Sequence, residues 1–239
     1  SPQQRSVQVG ASGGNQHVEC GMGRFTPFIK PYGYWSAYFR QNSYLEPTKD
    51  ASSTLLDGVN GDDTFTIEAW IMYTAPSITT SGNDDQFNYI IAKGLGTNIG
   101  KGLGVTTDGK LRFIYYSDTT ASHVIVESAA GLIKFGPWYH VAVSNAAGSG
   151  NLKLFLDGQQ VASGTYGATS TQNGGVPRIA MGDYTNRNSQ GFTGYISNLR
   201  LSNSTRYTGS FTRPDKPFVD DANTTLLCLN NYRWTDGSS

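Results

Sequence analysis

Between residues 65 and 72, Phe65, Ile67, Ala69 and Ile71 alternate with Thr66, Glu68, Trp70 and Met72. That two-residue period is the mark of a strand with one face packed and the other turned away from the core. Trp138-Tyr139-His140-Val141-Ala142-Val143 repeats it, and Tyr89-Ile90-Ile91-Ala92 is a short apolar run of strand length. Two Asp-Gly pairs punctuate such runs. Asp108-Gly109 divides Leu103-Gly104-Val105 from Leu111-Arg112-Phe113-Ile114-Tyr115-Tyr116, and Asp157-Gly158 divides Leu152-Lys153-Leu154-Phe155-Leu156 from Gln160-Val161-Ala162. Asp-Gly supplies the positive φ angles of a tight hairpin turn, so both read as hairpins. Two further strands are expected at Gly194-Tyr195-Ile196-Ser197-Asn198-Leu199-Arg200-Leu201 and Thr225-Leu226-Leu227-Cys228-Leu229. No stretch of helical length carries a 3.6-residue period. Many short strands with turn signals between them predict an all-β chain: a two-sheet sandwich, a jelly roll or a barrel.

Residues 1–33 break the pattern. Gly10-Ala11-Ser12-Gly13-Gly14-Asn15 has no hydrophobic period, and Phe25-Thr26-Pro27-Phe28-Ile29-Lys30-Pro31-Tyr32 is too proline-rich for a central strand. The expected organisation is an extended amino-terminal arm over 1–33, a sandwich over 34–234 and a short tail over 235–239. The arm's aromatic residues suit docking on its own domain or on a neighbouring subunit.

Composition narrows the partners. Eighteen basic and 18 acidic residues give a net charge of zero, and only 15% of residues are charged, against an ordinary share of about 25%. Long-range attraction to nucleic acid or to an anionic membrane surface has no support. No run approaches the ~20 apolar residues of a membrane helix, and nothing reads as a signal peptide. The two cysteines, Cys20 and Cys228, make neither a disulfide framework nor a zinc site. They bridge only if the two ends of the chain lie together; nothing else points to an oxidising compartment, which favours thiols.

Four stretches, in order, resemble the laminin-G-like branch of the concanavalin A-like lectin/glucanase superfamily: Phe65–Ile71, Trp138–Val143, Leu154-Phe155-Leu156-Asp157-Gly158 and Gly194–Leu201. The resemblance implies two antiparallel sheets in jelly-roll topology. The closing segment, Asn203-Ser204-Thr205-Arg206-Tyr207-Thr208-Gly209-Ser210-Phe211-Thr212-Arg213-Pro214, is similar to laminin-G-like modules of tailed-bacteriophage structural proteins. What this implies is a non-enzymatic virion protein on capsid or tail, anchored to other virion proteins through the arm, contacting host glycans, and compatible with a homo-oligomer. The alternative is a free or cell-surface lectin, in an extracellular setting, with a glycoside hydrolase behind it.

Hydrolysis of a glycosidic bond needs two carboxylates across the scissile bond. The chain has four glutamates, Glu19, Glu46, Glu68 and Glu127, and none has a second acid two or four residues away. Glu68 is expected to be structural, a carboxylate on the sheet face opposite Ile67. His140 is expected to be packed or hydrogen-bonded, and His123 lacks a nucleophile's strand-turn-helix setting. Gly94-Leu95-Gly96-Thr97-Asn98-Ile99-Gly100-Lys101 fits no phosphate-loop spacing and reads as a hairpin. Laminin-G-like domains often hold calcium at the sandwich rim. That resemblance makes Asp84, Asp85 and Asp183 the candidate ligands, although Asp is also an ordinary turn residue. Sugar binding needs an exposed aromatic platform beside polar groups. Tyr184, Phe192, Phe87 and Tyr207, all expected in loops, are the candidates; Trp70 and Trp138 are expected in the core.

Overall fold

The alternation along Phe65–Ala75 sends Ile67, Ala69, Ile71 and Tyr73 into a dry core and Thr66, Glu68, Trp70 and Met72 to the opposite face. The computed structural model describes residues 8–11, 26–28, 35–40, 43–47, 56, 64–76, 87–95, 98–117, 120–147, 151–165, 177–181 and 191–230. Among them every regular element is a strand: β1 (Gln8–Ala11), β2 (Ala37–Phe39), β3 (Ser43–Glu46), β4 (Phe65–Ala75), β5 (Phe87–Leu95), β6 (Asn98–Thr106), β7 (Leu111–Ser117), β8 (Ser122–Glu127), β9 (Trp138–Asn145), β10 (Leu152–Leu156), β11 (Gln159–Gly164), β12 (Arg178–Ile179), β13 (Thr193–Ser202) and β14 (Thr224–Cys228). No helix among the described residues is long and apolar enough to cross a membrane.

The strands form two sheets. The first runs β1-β3-β12-β5-β6-β7-β8; the second runs β11-β10-β9-β4-β13-β14, with β2 also paired to β13. All ladders between the named strands are antiparallel, as a jelly-roll sandwich requires. Leu45, Ile91, Leu103, Phe113 and Ile179 from one sheet meet Ile67, Ile71, Val141, Val143, Leu154 and Ile196 from the other. Cys228 lies in this core at 3% exposure, filling an aliphatic position; Cys20 lies outside the described residues.

Both Asp-Gly pairs turn hairpins. Asp157 and Gly158 take φ of 49° and 80° between β10 and β11, the primed turn whose twist suits two flanking strands. Asp108-Gly109 sits in a longer connection closed by hydrogen bonds between Thr106 and Lys110. The glycine-rich stretch at 94–101 is the β5–β6 hairpin, Leu95 facing Asn98.

Residues 203–223, between β13 and β14, form a strap over the outer face of the second sheet. At one end, Thr66 Oγ1 donates to Ser204 O (2.8 Å) and Thr205 Oγ1 to Asn145 O (2.6 Å). Further along, the Phe211 N–H donates to Gly158 O (2.7 Å). The Phe218 N–H donates to Asn198 Oδ1 (3.0 Å). Asn198 sits at a break in the β13–β4 register with φ of 51°, a left-handed conformation that Asn tolerates better than most residues.

Candidate functional site

The centre of the strapped face is a sealed polar cluster. Glu68 on β4 is fully buried. Its Oε1 accepts from Arg200 Nε (2.8 Å) and Nη2 (2.6 Å), and its Oε2 from the Tyr207 hydroxyl (2.8 Å), while His140 Nε2 lies 3.1 Å away. Burial alone would raise the Glu68 carboxyl. The hydrogen bond and charge of His140, the Arg200 guanidinium and the Tyr207 hydroxyl outweigh it and hold the group below its ordinary value of 4.5. Tyr207 is pushed up by burial and by the adjacent carboxylate, so it remains a donor. His140, also fully buried, is ringed by Trp70, Tyr207, Phe211 and Phe218. A carboxylate kept anionic in a sealed cluster is no general acid, which needs a raised pKa and reach to substrate. The other described glutamates are also ion-paired. Glu127 meets Arg112 (2.7 Å) and Lys110 (2.7 Å), and Glu46 meets Arg178 (2.9 Å).

Beyond the strap the same face stays open. Register carries one row across four strands: Tyr38 on β2 opposes Tyr195 on β13, Tyr195 opposes Met72 on β4, and Met72 opposes Trp138 on β9. Tyr38, Tyr195 and Trp138 are half-buried, and Met72, 7% exposed, stands between the last two in the register. Ring centroids are 4.8 Å apart for Tyr38 and Tyr195, and 6.3 Å for Tyr195 and Trp138. Arg40 and Thr74, two positions on from Tyr38 and Met72, add polar groups beside the row. Such a row can hold an apolar face while its neighbours bond hydroxyls.

The sequence over residues 47–208 matches the Laminin_G_3 family, described as concanavalin A-like lectin/glucanases superfamily. The chain belongs to this superfamily. No curated protein matches it. Among solved structures, the CBM40 module of the Ruminococcus gnavus IT-sialidase bound to α2,3-sialyllactose superposes with a TM-score of 0.55 at 13% identity, covering 73% of this chain and 92% of that one. The same module bound to α2,6-sialyllactose gives 0.55 at 13% identity, covering 72% and 92%. Tailspike protein 2 of the Escherichia coli O157:H7 bacteriophage CAB120 gives 0.44 at 14% identity, covering 71% and 23%, too distant to carry an argument. At these identities the likenesses show the fold alone.

Within this laminin-G-like sandwich the sequence-predicted residues scatter. Phe192 is not a loop platform: it is fully buried and stacks on Tyr73 at 5.6 Å. Phe87 is 1% exposed at the start of β5, packed against Tyr89 at 4.3 Å. Phe192, just before β13, joins the core between the sheets, whereas Phe87, at the start of β5, is buried in a separate small cluster with Tyr89, Ala92 and Ile114. Tyr207 is half-buried in the strap and committed to Glu68. Tyr184, Asp84, Asp85 and Asp183 lie outside the described residues. Among the described residues no group of three or more His, Cys, Asp or Glu could hold a metal ion. Glu68 and His140 are hydrogen-bonded structural residues as expected. Trp70 is buried, yet on the outer face beneath Phe28 (5.5 Å) and Arg213 (5.2 Å), not between the sheets. Trp138 is half-exposed. Its signal was the alternation itself, since Val141 and Val143 point inward and Trp138 shares its parity with His140.

Proposed function

We propose that the chain is a non-catalytic carbohydrate-binding module whose ligand lies on the Tyr38–Tyr195–Trp138 row. The observation that carries this reading is the row itself: three half-buried aromatic side chains set in register on the outer face of the second sheet. A pyranose has an apolar face and a hydroxylated rim, which such a row and its polar neighbours complement. The fold shared with a sialyllactose-bound module supports the reading, and the ion-paired glutamates speak against a hydrolytic one. Binding to a panel of immobilised glycans tests it. Tyr195→Ala should weaken any glycan that binds by at least tenfold, about 1.4 kcal/mol, with an unchanged melting temperature. Equal binding by wild type and variant would move the site elsewhere.

For the setting we propose the virion of a tailed bacteriophage, with an extracellular lectin as the alternative. The resemblance of residues 203–214 is its whole support. Quantitative mass spectrometry of purified particles decides between them, since a lectin outside the particle leaves no copies in it.

A further inference from the structure

We infer that the row takes a single, soluble, neutral glycan chain that twists along its length, lying across the strands; the inference rests on the carbohydrate-binding reading above. Three observations on the face carry it. First, the rings are tilted against one another, by 48° between Tyr38 and Tyr195 and 54° between Tyr195 and Trp138. A flat ribbon of sugars, as presented by a crystalline polysaccharide, can lie against only one ring of each tilted pair. A chain whose successive pyranoses rotate can present a face to each ring in turn.

Second, the row is uncharged. Its four positions are Tyr38, Tyr195, Met72 and Trp138. Three pairs of charges in the strapped region are matched among themselves: Glu68 with Arg200 at 2.6 Å, Arg206 with Asp221 at 2.8 Å, and Arg213 with Asp157 at 3.5 Å. An anionic sugar would find no cation within the row, and Arg40 beside it already takes part in other contacts. Third, the row is longer than it is wide: with centroids 4.8 Å apart for Tyr38 and Tyr195 and 6.3 Å for Tyr195 and Trp138, its rings extend over up to about 11 Å. That length exceeds one sugar, so affinity should rise with chain length until the row is filled and then level off.

The test uses the full chain and three probes: soluble mixed-linkage β-glucan with its oligosaccharides, microcrystalline cellulose, and sialyllactose. The expected result is binding to the soluble glucan, no retention on the crystalline polymer, and affinity that changes less than twofold between low and high salt, since neither the row nor the glucan carries a charge to be screened. Tyr38→Ala and Tyr195→Ala should each weaken the longer oligosaccharides at least tenfold and the shortest ones less. Retention on microcrystalline cellulose would overturn the twisted-chain inference while leaving carbohydrate binding intact. Binding to sialyllactose in preference to the glucan would overturn the neutral-chain inference in the same way. Failure to bind any glycan, including the full panel above, would overturn both.

Discussion

Glu68 gathers hydrogen bonds from three directions: Arg200 on one neighbouring strand, His140 on the other and Tyr207 from the strap. Removing one partner of a buried ion pair leaves the other charge uncompensated, which costs about 3–5 kcal/mol. Glu68→Gln keeps the volume but strands Arg200, so urea denaturation at neutral pH should show a loss of about 3 kcal/mol. The pH dependence has a definite sign. A carboxyl whose folded pKa lies below its ordinary 4.5 contributes fully above that value, and the contribution fades as pH falls through the folded value. The gap between wild type and Glu68→Gln should therefore hold from neutral pH to about 5 and narrow below it. Asp221 and Asp108 also sit below their ordinary range, Asp221 mainly through Arg206 and Asp108 mainly through the Thr106 hydroxyl. Both are present in either protein, so they cancel in the difference. A gap that stayed constant on acidification would mean that Glu68 carries no such linkage.

One glycine outside the strap also holds it. Gly158 has φ of 80°, and a Cβ there would sit 2.1 Å from Phe211 O. The turn and the strap are tied in both directions, by this close approach and by the Phe211 N–H donating to Gly158 O. Gly158→Ala should cost about 2 kcal/mol, from the left-handed backbone and the displaced carbonyl together. Amide exchange at Phe211 should quicken more than at core positions in β4 and β9. Unchanged protection at Phe211, with stability within about 0.5 kcal/mol of wild type, would show that the strap does not rest on this turn. Strand positions and the Asp-Gly turn were legible in the sequence because alternation and turn chemistry are local signals. The strap was not, since it has no period and its bond to Glu68, from Tyr207, spans 139 residues. The aromatic row was hidden for the same reason. Tyr38, Trp138 and Tyr195 come together only through strand register, which no local pattern states. Proximity to turn residues marked Phe87 and Phe192 instead, and both are buried, Phe192 in the core and Phe87 in a separate cluster with Tyr89.

At the scale of the whole molecule, the described pieces of residues 1–33 belong to the sandwich. Gln8–Ala11 adds an edge strand to the first sheet by pairing with Ser43–Glu46. Phe28, 5% exposed, packs on the outer face of the second sheet in a cluster with Trp70, Phe218 and Leu227. The chain thus touches both sheets before its first core strand. Truncating a buried Phe to Ala costs about 3–5 kcal/mol in a full core; at a site with one side toward the surface the lower end applies. Phe28→Ala should lower stability by about 2–3 kcal/mol, and deletion of residues 1–33 by at least as much. Either change uncovers Trp70, so the tryptophan fluorescence should shift to longer wavelength. A deletion variant with wild-type stability and emission would show that the segment only rests on the domain. The expected outcome bears on any anchoring role. A segment that contributes to its own fold can engage a neighbouring subunit through Phe28 only by leaving Trp70. Assembly through that residue would then be an exchange between copies, slowed by the stability that the contact supplies.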